Sequence, residues 1–204
     1  MKFIEKGQEP ASLATWKNLA TWERPPTWAD LQNPQKSALH DALCHEQGHI
    51  CCYCNRRIGP DNSHVEHIIA RSREPSRALD YGNLLASCGR DDPPPILTCG
   101  HSKGGQSLPV TPLQPDCETR FYYTAAGEIR GLDGDAMETT RICNLNADAL
   151  VRLRAEAMRP VLDLIGDMTQ DEFDDWIRTY STRDAGRNFP PFCMAVLHVL
   201  RAYR

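Results

Sequence analysis

Apolar residues fall at helical spacing at Ala38, Leu39, Ala42 and Leu43, between Asn33-Pro34 and Gly48. The spacing predicts a helix over 34–47, with Asn33 as its cap and Pro34 in the first turn. A second periodic run, Leu150, Leu153, Ala157, Val161, Leu162 and Ile165, predicts a helix capped by Asn146 and kinked at Pro160. Thr169-Gln170-Asp171-Glu172 is a capping box ahead of Phe173, Trp176, Ile177 and Tyr180, and Pro190-Pro191 opens a last helix through Met194, Leu197, His198 and Arg201. Shorter periods lie between these helices. Residues 63–69 are β-branched enough for a strand after the turn Gly59-Pro60-Asp61-Asn62, and we expect a hairpin there. Residues 81–88 suit a short helix, and 119–124 with 128–130 suit a second hairpin about Ala126-Gly127. Residues 104–117 carry Pro109, Pro112 and Pro115 and predict an irregular crossing. The class is α+β, in three segments: an arm and helix over 1–48, a central unit with the second hairpin over 49–132, and a helical region over 133–204.

Trp16, Trp22 and Trp28 recur every six residues, too short a unit for a solenoid and interrupted by Pro25-Pro26. They are expected to pack an N-terminal arm onto the domain.

At 204 residues and ordinary composition the chain can bury one sizeable core, which excludes fibrous and disordered classes. The first ten residues lack the apolar run of a signal peptide and no later stretch has ~18 uninterrupted apolar residues, so a cytoplasmic location is expected. The net charge is −4, the wrong sign for gripping a nucleic-acid backbone unaided. Nine cysteines, an odd number without a secretory signal, favour reduced thiols and metal ligation over a disulfide framework.

The cysteines focus attention on residues 51–103. Cys51 and Cys54 make a C-x-x-C turn, and Cys88 and Cys99 supply a second pair set further apart by the 90–95 bulge. Thiolates suit zinc, and two from a tight turn plus two from a distant loop complete a tetrahedron. Cys52 is an alternative to Cys51. Otherwise Cys52, like Cys44, Cys117, Cys143 and Cys193, reads as a small buried hydrophobe. Glu66-His67 and Asn83 lie between the pairs, and Gly100-His101-Ser102-Lys103 follows the last cysteine.

Taken together, Cys-x-x-Cys, Glu66-His67-Ile68, Asn83-Leu84-Leu85 and Cys99-Gly100-His101-Ser102-Lys103-Gly104 resemble the HNH nucleases. Lys6-Gly7-Gln8-Glu9-Pro10, Glu46-Gln47-Gly48, Tyr81-Gly82-Asn83 and Leu145-Asn146 before an arginine-bearing helix resemble the PtuB-like HNH proteins of Septu and retron anti-phage systems, through about Arg154. The resemblance implies a ββα-metal core, phosphodiester hydrolysis and a PtuA-like ATPase partner. It also implies His67 as general base, Asn83 as the residue that fixes the loop bearing it and orients its imidazole through side-chain hydrogen bonds, and Glu66 and His101 as ligands of a catalytic Mg²⁺ or Mn²⁺. Lys103, Arg71 or Arg73 would hold a phosphate. Glu66 stands where that family more often has Asp, and His101 lies two residues after Cys99 rather than one.

The residue types fit the chemistry, which needs a base for water and a cation for the charge developing on phosphate. On a continuous strand Glu66 and His67 point to opposite faces, so the strand has to end or bulge there for both to serve. His64 is expected as an exposed hairpin residue, and His40, His45, His49 and His198 as helix-surface or helix-end residues. The competing reading is a zinc-stabilised module that binds protein or nucleic acid without cutting it.

Overall fold

The computed structural model describes residues 1–19, 25–89 and 96–203. The helices are α1 (Ala11–Asn18), α2 (Gln35–Glu46), α3 (Cys99–Lys103), α4 (Gly134–Ile142), α5 (Asp148–Leu164), α6 (Gln170–Ser181) and α7 (Cys193–Tyr203). The strands are β1 (Ser63–His67), β2 (Leu84–Cys88), β3 (Phe121–Tyr123) and β4 (Ile129–Gly131), paired antiparallel as β1 with β2 and β3 with β4. Trp22 and the 90–95 bulge lie outside the described residues.

Helix α2 buries Leu39, Leu43 and Cys44, as its period requires. Just past its end the buried amide of Gln47 accepts from the Ala86 N–H (2.6 Å) and donates to the Ala86 carbonyl (2.8 Å). A side chain thus shares the free edge of β2 with the Cys52 N–H, which also donates to the Ala86 carbonyl (3.2 Å), and satisfies an Ala86 N–H that burial would otherwise strand.

The expected helix over 81–88 is instead a single 3-10 turn, Tyr81–Asn83, followed by β2. All five β2 residues are buried, so no alternation marks the strand, and a short apolar run reads equally as helix or strand. The expected hairpin at 63–69 is also different. β1 pairs with β2, with Ser63 opposite Cys88 and His67 opposite Leu84, while the stretch before the Gly59 turn closes on itself through an Ile50–Arg57 bridge.

Neither expected asparagine cap forms. Pro34 and Ala147 occupy those N-caps without a side-chain bond, and Asn146 instead brackets Ile129, accepting from its N–H (2.9 Å) and donating to its carbonyl (2.8 Å). Helix α5 continues through Pro160. The Thr169–Glu172 capping box and the second hairpin are present as read. Helices α1 and α4 escaped the pattern. The first buries only Leu13, and the second rests on an Asp133 cap that accepts from the Ala136 N–H (2.9 Å). Trp16 and Trp28 are half-buried against the core.

One hydrophobic cluster runs from Met1 to Leu200. Phe192, Met194, Val196, Leu197 and Leu200 are buried in it, so α7 spends its apolar face on the chain's own core, against α5, α6 and β3. Arg154 lies at the centre, 1% exposed, donating to the carbonyls of Gly127 and Leu145. Its guanidinium therefore ties the β3–β4 turn to the segment entering α5. Arg154→Ala removes both donors and leaves a cavity, and should cost roughly 3 kcal/mol of unfolding free energy. Chemical denaturation checks this against Arg201→Ala at an exposed site, which should stay within about 0.5 kcal/mol of wild type.

Candidate metal centre and active site

The sulfurs of Cys51, Cys54, Cys88 and Cys99 all lie within 4.8 Å of one another, and all four residues are buried. Among the described residues this is the only group of three or more metal-ligating side chains gathered so closely. Cys51 and Cys54 come from the bridged turn, Cys88 from the last residue of β2 and Cys99 from the first of α3. The Cys54 and Cys88 sulfurs are 3.7 Å apart, too far for a disulfide of about 2.05 Å. A Zn–S bond of about 2.3 Å puts two corners of a tetrahedron about 3.8 Å apart, so the spacing suits zinc.

The electrostatics agree. Burial opposes ionisation of Cys51, yet hydrogen bonds from Cys52, Cys54, Cys88 and Cys99 hold it well below the ordinary thiol range. Cys88 and Cys99 are pushed well above that range, chiefly by their bonds to Cys51. Four adjoining sulfurs in apolar surroundings can share one negative charge, and only a cation lets more of them ionise. Cys52 stands outside the cluster, its thiol pushed up by burial. The other four cysteines are buried and free, as expected.

From this cluster the chain lays out two faces of β1. Glu66 points to the face covered by α3. Its Oε1 meets the Lys103 ammonium at 2.9 Å and accepts from the Tyr53 hydroxyl at 3.1 Å, while Oε2 lies 3.4 Å from His64 Nε2. Burial alone would raise the carboxyl pKa, but His64 and Lys103 outweigh it and hold Glu66 below its ordinary value. Helix α3 approaches so closely that a Cβ at Gly100 would sit 2.5 Å from Glu66 Oε2 and 2.8 Å from His64 Nε2.

His64 is not an exposed hairpin residue. Its side chain is 11% exposed and its ring lies 4.3 Å from the His101 ring. Its Nδ1 is 2.8 Å from the Gly89 carbonyl, which can only accept, so Nδ1 carries a hydrogen. Burial alone would lower the His64 pKa, but Nε2 facing the Glu66 carboxylate, with the Gly89 bond, outweighs it and raises the pKa. Positions 64 and 66 share a face by strand alternation, and that period was the available clue.

His67 points to the opposite face. The strand ends at His67 and has no bulge, so Glu66 and His67 do not meet. The imidazole lies edge-on to Trp28 (centroids 4.5 Å), with Nε2 3.0 Å from the Ala78 carbonyl. The same tautomer argument makes Nε2 the donor and leaves Nδ1 as a lone pair. Burial, reinforced by Arg71 and Lys103 and opposed by the Ala78 bond, lowers the His67 pKa, favouring the neutral ring.

Asn83, 1% exposed, accepts from the Ile69 N–H (2.8 Å) and donates to the carbonyls of Ile69 (3.0 Å) and Arg77 (3.1 Å). It therefore ties down the loop after His67, whereas the imidazole itself is oriented by the Ala78 carbonyl and not by Asn83. Lys103 is 1% exposed and donates to Glu66 and to the His67 carbonyl (2.8 Å), so its ammonium lies beneath the strand, away from the surface. Arg71 and Arg73 are exposed.

A cleft of about 710 Å³ runs along the edge of β1 and is lined by both His64 and His67, with Trp28, Lys36 and His40. His64 reaches it from one face of the strand and His67 from the other, while Glu66, His101 and Lys103 are not in its lining. No family model matches the chain. Over 97 residues the chain is 31% identical to a Vibrio cholerae (serotype O1 biovar El Tor) protein named "Retron Vc95 putative HNH endonuclease". This supports the HNH nuclease family. The matched stretch takes in 46% of this chain and 47% of that protein, so the chain spans about half the length of the relative it matches.

Two outcomes follow from the geometry. Purified protein should carry one zinc per chain by elemental analysis; Cys51→Ala should lose it and unfold at lower temperature, whereas Cys52→Ala should retain it. An NMR titration should place the His67 imidazole below the ordinary value of about 6.5. A value at or above that would contradict the burial argument.

Proposed function

We propose that this chain is an HNH endonuclease that hydrolyses nucleic-acid phosphodiester bonds, and that residues 63–103 form its ββα-metal core: β1, β2 and α3 in that order. The observation that carries the reading is His67, a neutral imidazole pinned through Nε2 to a carbonyl, with Nδ1 unused, on the wall of a cleft. A general base needs that combination of protonation state, fixed tautomer and access.

In this reading Nδ1 of His67 takes the proton of the attacking water. Glu66 and His101 hold the divalent ion, with His64 beside both. The Glu66 carboxylate is a hard donor that suits Mg²⁺ or Mn²⁺, while the His101 imidazole is a borderline donor that would favour Mn²⁺ of the two. When bound, that ion supplies positive charge to the phosphoryl group and the leaving oxygen. Lys103 keeps Glu66 ionised and braces the His67 carbonyl, and Asn83 holds the loop. The four-cysteine zinc is structural, and residues 1–48 and 133–204 flank a nuclease core over 49–132.

The subfamily, the setting and the partner belong to the same proposal. We assign the chain to the PtuB-like proteins and to anti-phage defence of the Septu or retron kind, in the cytoplasm, where cysteines outside disulfides stay reduced. No helix among the described residues is long and apolar enough to cross a membrane. With 27 acidic against 23 basic residues, and seven basic against six acidic over 51–103, the chain attracts a polyanion weakly, and a PtuA-like ATPase supplies the capture of substrate.

The decisive experiment is a cleavage assay on labelled DNA and RNA with Mg²⁺ or Mn²⁺, with and without the neighbouring ATPase. His67→Ala should retain zinc and lose at least ~100-fold in rate. Glu66→Ala and His101→Ala should be slowed and partly restored by added metal. Wild-type cleavage by His67→Ala would refute the assignment, and a folded, zinc-loaded chain that binds without cutting under all these conditions would favour the binding module.

A further inference from the structure

The tryptophan beside the base has more to do than pack. Trp28 lines the 710 Å³ cleft on one side and a second cleft, of about 470 Å³, on the other. Ala78, whose carbonyl holds His67, lines the second. The two spaces therefore meet across one indole, with the proposed base at the junction. Each carries a cation over that ring: the Lys36 ammonium 5.9 Å from its centre and the Arg71 guanidinium 5.5 Å. Both lie at the outer end of the cation–π range, so either head can turn to another anion at little loss.

The charge of this groove opposes that of the chain. Acidic residues outnumber Lys and Arg by 27 to 23, yet none of the described residues lining either cleft is Asp or Glu. Lys36, Arg71 and the imidazoles of His40, His64 and His67 are there instead. A half-buried aromatic between two cations, in a carboxylate-free groove, combines the two elements that hold unpaired nucleotides: a stacking surface for a base and positive charge for the backbone. A duplex keeps its base faces stacked inside and cannot offer one to an indole. Spaces of a few hundred Å³ suit one or two nucleotides better than a double helix.

Building on the nuclease reading, we propose that the groove across Trp28 binds single-stranded nucleic acid, with a base stacked on Trp28 and the flanking phosphates on Lys36 and Arg71. The strand then passes His67 with its backbone toward the base. Trp28 is a specificity residue for unpaired substrate.

The test is binding without added Mg²⁺ or Mn²⁺, by anisotropy of labelled 12-mers of DNA and RNA, single-stranded and as hairpin duplexes, at about 50 mM salt. Single strands should bind more tightly than duplexes and quench tryptophan fluorescence. Trp28→Leu should weaken single-strand binding roughly tenfold while Trp28→Phe, which keeps a ring to stack on, should restore most of it. Lys36→Glu should weaken it too. Zinc content and thermal unfolding confirm that each variant is folded. Equal affinity for single strand and duplex, no binding of either, competition by polyglutamate as effective as by an oligonucleotide, or a folded Trp28→Leu that binds like wild type would overturn the proposal. If the chain binds single strands through Trp28 but cuts nothing, the nuclease reading fails and this one stands; if it cuts duplex and single strand alike, the reverse holds.

Discussion

Everything at the centre of this molecule depends on gathering four thiols at one buried point. Left to themselves, such sulfurs are a poor core: they compete for one negative charge, and each further ionisation is penalised by burial and by its neighbours. A dication reverses that balance, because opposite charge close by stabilises each thiolate. The ligands come from three separate stretches, so the same point fixes where the 51–54 turn, the end of β2 and the start of α3 stand relative to one another. The close approach of α3 to β1 at Gly100 follows from it.

That geometry creates a second dependency. Once α3 begins at Cys99, Lys103 is carried under β1, where its ammonium reaches both Glu66 and the His67 carbonyl. Buried ion pairs contribute little net stability, but removing one partner costs about 3–5 kcal/mol, since it leaves a lone charge in apolar surroundings. The pair therefore acts less as glue than as a constraint on register, holding the acidic and imidazole residues of β1 on their proper faces. The surrounding framework follows the same economy of polar groups. Gln47 closes the β2 edge, Asn83 the loop after His67, and Asn146 the start of α5 against β4. In each case one amide satisfies a buried main chain that no strand reaches.

Charge is distributed with equal consequence. Among the described residues no Asp or Glu lines either cleft, although the Asp30 carboxylate bonds Thr27 at the rim of the second, and Asp171 and Glu172 stand in the first turn of α6, where they favour the helix N-terminus. The groove itself keeps cations, imidazoles and one aromatic ring. Net charge alone therefore misstates what the site attracts, although it still limits how strongly the whole chain attracts a polyanion at a distance.

The helical C-terminal third, the second hairpin and a candidate metal site of four cysteines could be read from residue order alone, as could the residues worth watching around Glu66 and His67. These are legible because period, capping chemistry and ligand softness are local properties of residue type. Residue order did not decide that 84–88 is a strand, because a run buried on both faces has no alternation to read. Nor did it decide between Cys51 and Cys52: adjacent residues on one turn differ only in direction, and the partners at 88 and 99 choose the direction. The asparagines at 33 and 146 looked like caps because that is their commonest local use, yet Asn146 was needed across the fold by Ile129. The division of labour on β1 also required the tertiary structure. Alternation placed Glu66 and His67 on opposite faces, but only the packing of α3 on one side and of Trp28 and Ala78 on the other gave each face its partners. Contacts between residues far apart in the chain depend on how elements close together in space, and that is set by burial and the pairing of polar groups over the whole chain at once.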